Sequence, residues 1–208
     1  MDKFTTLTGA ACPINQTNVN TDQILPARYL KWTRAQGIGK VLFNDLRFDA
    51  DGKENPDFPL NQPAWRDAKV VVAARNFGCG SSREAAVYAL YDYGVRCVIA
   101  PSFGDIFSGN AVQNGLLTAI VSDDEAAEIM AALTRTPELP LTVDLEQQQI
   151  VCGNRTYAFS IDPVRRMRLL NGWDEIALTE NFSDRIATFK AVDRAARPWA
   201  VPPAVEPA

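Results

Sequence analysis

The sequence predicts an α/β fold with a mostly parallel central sheet, flanking helices and a small antiparallel meander. Three observations lead there. Lys69-Val70-Val71-Val72-Ala73-Ala74 is an unbroken, valine-rich run, as expected of a strand covered on both faces. Between residues 69 and 134 short apolar strands alternate with helical stretches, which implies right-handed crossovers and parallel neighbours. After Pro140 the apolar period changes, and short runs flank polar turns in the manner of a meander.

In chain order, the first 25 residues read as short strands and turns that end in the polar stretch Asn18-Val19-Asn20-Thr21-Asp22. Ile24 to Phe43 is mixed, with Pro26 at a helix start and Gly37 and Gly39 breaking the pattern. Residues 49–63 are a loop by composition, with prolines at 56, 59 and 63. The strand 69–74 runs into the glycine-rich turn Asn76-Phe77-Gly78-Cys79-Gly80. From Ser81, the residues Ala85, Ala86, Ala89, Leu90 and Tyr93 keep helical spacing as far as Gly94. Arg96–Ala100 is the next strand and Ser102–Asn114 the next helix. Leu116–Val121 and Asp123–Thr134 repeat the unit, with Ser122 or Asp123 as the cap. The meander takes Leu141–Leu145, Gln149–Cys152 and Tyr157–Phe159. Asp162-Pro163 opens a helix with proline at its first position, and a last helix covers about Trp173–Val192. From Arg197 four prolines mark a frayed tail, so the domain is expected over 1–196 and the tail over 197–208.

Composition narrows the function. The 208 residues suit one compact domain, and 47% hydrophobic content excludes a disordered chain. Net charge is −4 with no basic block, which argues against nucleic-acid binding. No apolar run approaches the roughly 18–20 residues that span a bilayer. The start, Met-Asp-Lys-Phe-Thr-Thr, lacks the basic and apolar parts of a signal peptide, so a soluble cytoplasmic protein is expected. There is no histidine, so no His base or ligand comes from this chain. Cys12, Cys79, Cys97 and Cys152 form no C-x-x-C pair, which disfavours a metal or iron–sulfur site built from this chain alone.

Asn76-Phe77-Gly78-Cys79-Gly80-Ser81-Ser82-Arg83-Glu84 carries the chemistry. Its glycines let a ligand come close to main-chain N–H groups, and a helix starting at Ser81 would aim a positive dipole end at an anion. Arg83 adds a fork matched to a carboxylate. Ser81 to Glu84 also reads as an ordinary capping box, and this alternative stands beside the anion site. Gly-Lys-Ser/Thr and the third glycine of a dinucleotide motif are missing, so neither nucleotide loop is present. Two further clusters, Asn20-Thr21-Asp22-Gln23 and Pro101-Ser102-Phe103-Gly104-Asp105-Ile106-Phe107, read in isolation as a turn or cap and a strand-to-helix junction.

The three clusters occur together and in order, and with them the chain resembles the small subunits of 3-isopropylmalate dehydratase in the aconitase superfamily. Asn20–Pro26, Leu42–Phe48, Asn55–Phe58, Asn76–Glu84, Val98–Phe107, Asn114–Leu117, Val143–Leu145 and Asn171-Gly172 carry the resemblance over nearly the whole length. It implies a swivelling β/β/α domain of the aconitase type, working as a heterodimer with a large subunit that holds a 4Fe-4S cluster. The implied reaction is a hydro-lyase isomerisation of 2-isopropylmalate to 3-isopropylmalate in leucine biosynthesis. No cofactor or metal is expected on this chain. By the same resemblance Ser81 is the base, Ser82 and Arg83 hold the dicarboxylate substrate, and Thr21, Asp22 and Arg34 lie beside it. Tyr29, Leu30 and Trp32, between Ile24 and Phe43, are candidates for the pocket that receives the alkyl group. Three places depart from the family's usual text. Gly104 stands where Ala is common, Ala85 where the family has His, and Gln36-Gly37-Ile38-Gly39 where many members have Thr-Gly-Phe-Gly. The last two departures motivate the alternative of a paralogous hydro-lyase for another alkyl-malate, such as 2-methylmalate (through citraconate) or dimethylmalate.

Overall fold

The structure, a computed structural model, describes residues 1–200. The chain divides into two compact units at Gly172. The first holds strands β1 (Thr6–Gly9) and β2 (Ala11–Ile14), single-turn helices α1 (Thr21–Ile24) and α2 (Asn44–Arg47), and β3 (Val70–Ala73). It continues with α3 (Glu84–Tyr93), β4 (Cys97–Ala100), α4 (Asp105–Gln113), β5 (Leu117–Ile120) and α5 (Asp123–Arg135). It closes with β6 (Leu141–Asp144), β7 (Gln149–Cys152), β8 (Arg155–Ala158) and α6 (Pro163–Asn171). The second unit contains α7 (Glu175–Glu180) and α8 (Ser183–Ala196).

β2, β3, β4 and β5 form a parallel sheet in that order, and β1, β6, β7 and β8 an antiparallel one. The valine run of β3 explains the layering. Alternate residues of a strand point to opposite faces, so Val71 and Ala73 join one core and Val70 and Val72 the other. The first core is filled by Ala86, Val87, Ala89 and Leu90 of α3 and by the long β2–β3 connection. The second takes Ala126, Ile129 and Leu133 of α5 together with Leu141, Val143 and Ile150 of the antiparallel sheet. Each fully buried Val, Leu or Ile contributes about 1.5–3 kcal/mol, which is why the uninterrupted apolar runs become interior strands.

Several expected boundaries move. The helix expected from Ser102 starts at Asp105, because Ser102–Gly104 continue alongside the β3 loop. The Phe77 N–H donates to Ser102 O (3.0 Å), and the Gly104 N–H donates to Phe77 O (2.9 Å). The helix expected over Trp173–Val192 is two helices. Asn181 Nδ2 donates to Ala177 O at 2.8 Å, and the Ser183 hydroxyl donates to Glu180 O. These side chains take carbonyls that a continuous helix would use. The meander gains β1 as a fourth strand, with Leu7 opposite Val143. Ser122 caps α5 in a reciprocal box with Glu125, and Asp162 caps α6 ahead of Pro163. Most of the expected tail lies outside the described residues; Pro198–Ala200 form a 3-10 turn. Among the described residues no helix is long and apolar enough to cross a membrane.

Candidate active site

β2, β3 and β4 are parallel neighbours, so their carboxyl ends lie at one edge of the sheet, where open α/β sheets bind ligands. The chain leaving each strand enters one of the three polar clusters, and hydrogen bonds lace them together. Gly78 N–H donates to Val19 O (2.7 Å) and Thr21 N–H to Cys79 O (2.9 Å). The Thr21 hydroxyl, itself buried, donates to Ser81 O at 2.9 Å. On the other side Asn76 N–H donates to Ser102 Oγ at 2.8 Å. Segment 76–81 is thus clamped between segments 18–21 and 102–104.

Backbone conformation sets the path. Asn76, Gly78 and Gly80 hold φ of 65°, 72° and 93°. At Gly78 an added Cβ would stand 2.2 Å from Phe107 Cγ, and at Gly104 it would meet Gly78 O at 2.5 Å. Only glycine fits these two crossings.

The helix expected from Ser81 begins at Glu84, with Arg83 as its N-cap and no side-chain cap bond. The capping-box alternative is therefore not formed, and the Glu84 carboxylate instead accepts from Asn114 Nδ2 at 2.9 Å. Burial and a hydrogen bond to Glu84 push the Tyr88 phenol above its ordinary pKa. Ser81 and Ser82 are exposed in the loop, and neither hydroxyl has a hydrogen-bond partner among the described residues. Arg83, largely covered, donates from Nη1 to Asp22. Its Nε and Nη2, the edge that grips a carboxylate with two parallel bonds, have no acceptor among the described residues.

The structure thus brings Thr21, Asp22, Ser81, Ser82 and Arg83 together. It does not bring Arg34 to them. Arg34 Nε donates to both carboxylate oxygens of Asp92, at 3.1 and 3.0 Å. Asp92 lies nine residues beyond Arg83, about 13 Å along the helix at 1.5 Å per residue. Sequence reasoning missed the scaffold made by Asn18, Asn76 and Ser102, in which Asn76 Nδ2 donates to Asn18 Oδ1 at 2.7 Å. Two asparagines suited to left-handed backbone were the available signal.

The cysteines do not fit an iron–sulfur cluster. Cys12, Cys97 and Cys152 are buried on three different strands, and burial pushes their thiols up, away from the thiolate that binds iron. Among the described residues no group of three His, Cys, Asp or Glu side chains is placed to hold a metal ion.

Comparison with known proteins adds to this geometry. Residues 1–124 match the family model of the aconitase C-terminal domain, and residues 127–163 match a model described as LeuD_N. The chain is 50% identical over 202 residues to the 3-isopropylmalate dehydratase small subunit of Rhodospirillum centenum, covering 97% of this chain and all of that one. It is 48% identical over 201 residues to the protein of the same name from Brucella canis, covering 96% and 100%. Among solved structures it resembles 3-isopropylmalate dehydratase of Methanocaldococcus jannaschii, with a TM-score of 0.66 and 27% identity over 89% of this chain and 99% of that one.

Proposed function

The chain belongs to the family of 3-isopropylmalate dehydratase small subunits, and from that premise we propose that it is the small subunit of a hydro-lyase of leucine biosynthesis. With a separate large subunit it dehydrates 2-isopropylmalate and rehydrates the product as 3-isopropylmalate. The observation that carries this reading is the pairing of an exposed Ser81 hydroxyl with the Nε–Nη2 edge of Arg83 two residues away, both without a hydrogen-bond partner among the described residues.

In this reading Arg83 binds one substrate carboxylate through that edge, while Asp22 holds Nη1 and fixes the plane of the guanidinium. Ser81 Oγ takes the proton from the carbon beside a carboxylate as hydroxide leaves the neighbouring carbon; water then returns in the opposite sense. A serine hydroxyl is a weak base, so its alkoxide needs stabilisation. The first-turn N–H groups of α3 and the charge of Arg83 supply it. Ser82 is the second polar contact to substrate, and Thr21 holds the main chain of Ser81 in place. Tyr29, Leu30 and Trp32 receive the alkyl group. Arg34 is left out of this set because Asp92 occupies its guanidinium. The family resemblance assigns a 4Fe-4S cluster, and with it the Lewis-acid chemistry, to the large subunit. This chain contributes proton transfer and carboxylate binding.

The test uses the chain co-purified anaerobically with its large subunit and follows the ultraviolet absorbance of the unsaturated diacid. Ser81→Ala should lower turnover by about 10²–10⁴-fold while the subunits still associate; wild-type turnover would overturn the catalytic role. Isopropylmalate should exceed 2-methylmalate by about tenfold or more in kcat/KM, roughly the discrimination that two added methyl groups allow. The reverse preference would support the paralogue motivated by Ala85 and the 36–39 loop.

A further inference from the structure

The connection from Ile24 to Phe43 is an excursion whose ends are tied to each other: Phe43 N–H donates to Ile24 O at 2.8 Å, close to Thr21. Its inner part is anchored by apolar burial. Ile38 and Val41 are buried, and Gly39 lies so close to α3 that an added Cβ would stand 2.5 Å from the Asp92 carbonyl carbon and the Tyr93 nitrogen. The outer part is anchored less firmly, with Tyr29 partly buried against the first core. From Ala27 to Gly37 no side chain is buried, and Leu30 and Trp32 are exposed. Trp32 leans edge-on against Tyr29 at 5.1 Å, within the same stretch.

Among the described residues, two ion pairs add to this hold on the outer part. Arg28–Asp45 is half-exposed on both sides, the kind of pair that contributes little. Arg34–Asp92 is different. The Asp92 side chain is 19% exposed, and the Arg34 guanidinium lies 5.3 Å from the Tyr88 ring centre and 5.6 Å from that of Tyr91. Carboxylate and both rings sit within two turns of α3, the helix capped by Arg83. A planar, delocalised cation against aromatic faces and a partly desolvated carboxylate is where arginine holds geometry that lysine does not.

We infer that Arg34 and Asp92 form a positioning pair that sets the 27–37 stretch against α3, and so sets Tyr29, Leu30 and Trp32 relative to Ser81 and Arg83. The inference rests on the proposed function, in which those three side chains receive the alkyl group. Neither Arg34 nor Asp92 touches substrate. Loosening the pair costs alkyl recognition and leaves the chemical step alone.

The experiment measures steady-state kinetics of the reconstituted complex on 2-isopropylmalate and 2-methylmalate, for wild type, Arg34→Gln, Asp92→Asn, the double variant, Arg34→Lys and Ser81→Ala. Each single neutral variant should raise KM for isopropylmalate about tenfold, leave kcat within about twofold, and reduce the preference over methylmalate. The double variant should be no worse than either single one, because the two act as a unit. Arg34→Lys should recover part of the loss. A fall in kcat for Arg34→Gln with Asp92→Asn silent would overturn the inference, since Arg34 would then be contacting substrate. Unchanged KM and unchanged preference in both single variants would overturn it too. Ser81→Ala separates the two levels. Full turnover in that variant sinks the proposed function, whereas an inactive Ser81→Ala beside unaffected Arg34 variants sinks the positioning pair alone.

Discussion

Gly78 and Gly80 both hold left-handed backbone two residues apart, yet different neighbours make them unequal. A methyl group at Gly78 would collide with Phe107, whereas at Gly80 it would meet Asn20 Cβ at 3.5 Å, an ordinary contact. Gly80→Ala should therefore carry the backbone penalty alone, about 1–2 kcal/mol. Gly78→Ala adds overpacking and should reach about 2–5 kcal/mol. Urea unfolding of both variants checks the ranking, and equal losses would mean that the Phe107 contact is unimportant. At this scale the sequence was informative about residue types and silent about partners. That Gly78, Gly80, Ser81 and Arg83 belong to one loop follows from adjacency. That Asp22 would pair with Arg83, or Arg34 with Asp92, does not follow, because each partner is 58 or more residues away.

Between β2 and β3 lies the stretch where sequence pattern says least, and a buried polar network holds it. Arg47 is 6% exposed; its Nε donates to Asn61 Oδ1 at 3.0 Å, and its guanidinium stacks 5.0 Å from both Phe48 and Tyr93. Asn61 Nδ2 donates back to the carbonyls of Arg47 (2.6 Å) and Asn55 (2.9 Å). Burial pulls the Arg47 pKa down from its ordinary value, and the stacked rings with their hydrogen bonds compensate for part of the lost hydration. Asn61→Ala strands a buried guanidinium N–H, while the carbonyls of Arg47 and Asn55 keep the backbone N–H groups of Asn55 and Phe58, so it should destabilise by about 1–3 kcal/mol, read from chemical unfolding midpoints. Strands and helices with clear periods were legible because a single face or pair of faces fixes their pattern. The 15–69 connection has no period, since its burial is set residue by residue against α3 and the parallel sheet. The break at Asn181-Phe182 escaped notice for a related reason. Side-chain capping of α7's carbonyls competes with a helical pattern that continues through it.

For the molecule as a whole, exposed ion pairs join segments distant in sequence: Arg75–Asp123, Arg66–Glu54 and Arg28–Asp45. Each arginine holds its partner carboxyl below the usual range. A carboxyl whose folded pKa is depressed contributes its stability above the unfolded value, about 4, and loses it as pH falls through the lower folded value. The unfolding temperature should thus be flat around neutrality and fall below about pH 4. Asp123→Asn should make that fall shallower by lowering the unfolding temperature slightly at pH 7 while leaving it nearly unchanged at pH 3, as thermal scans at the two pH values will show. An unchanged acid slope would remove Arg75–Asp123 from the account. The sequence by itself determined the α/β class, the strand–helix alternation from 69 to 135, the meander and the Ser-Ser-Arg loop, because local periods and adjacent motifs encode these. Tertiary structure decided the rest. It showed that β1 closes the antiparallel sheet, that α3 starts at Glu84 and leaves Ser81 uncapped, and that three clusters from different strand ends meet while Arg34 turns to Asp92. Hydrogen bonds and ion pairs between residues far apart in the chain leave no local period to read, and they form only once the parallel sheet has set its strand ends side by side.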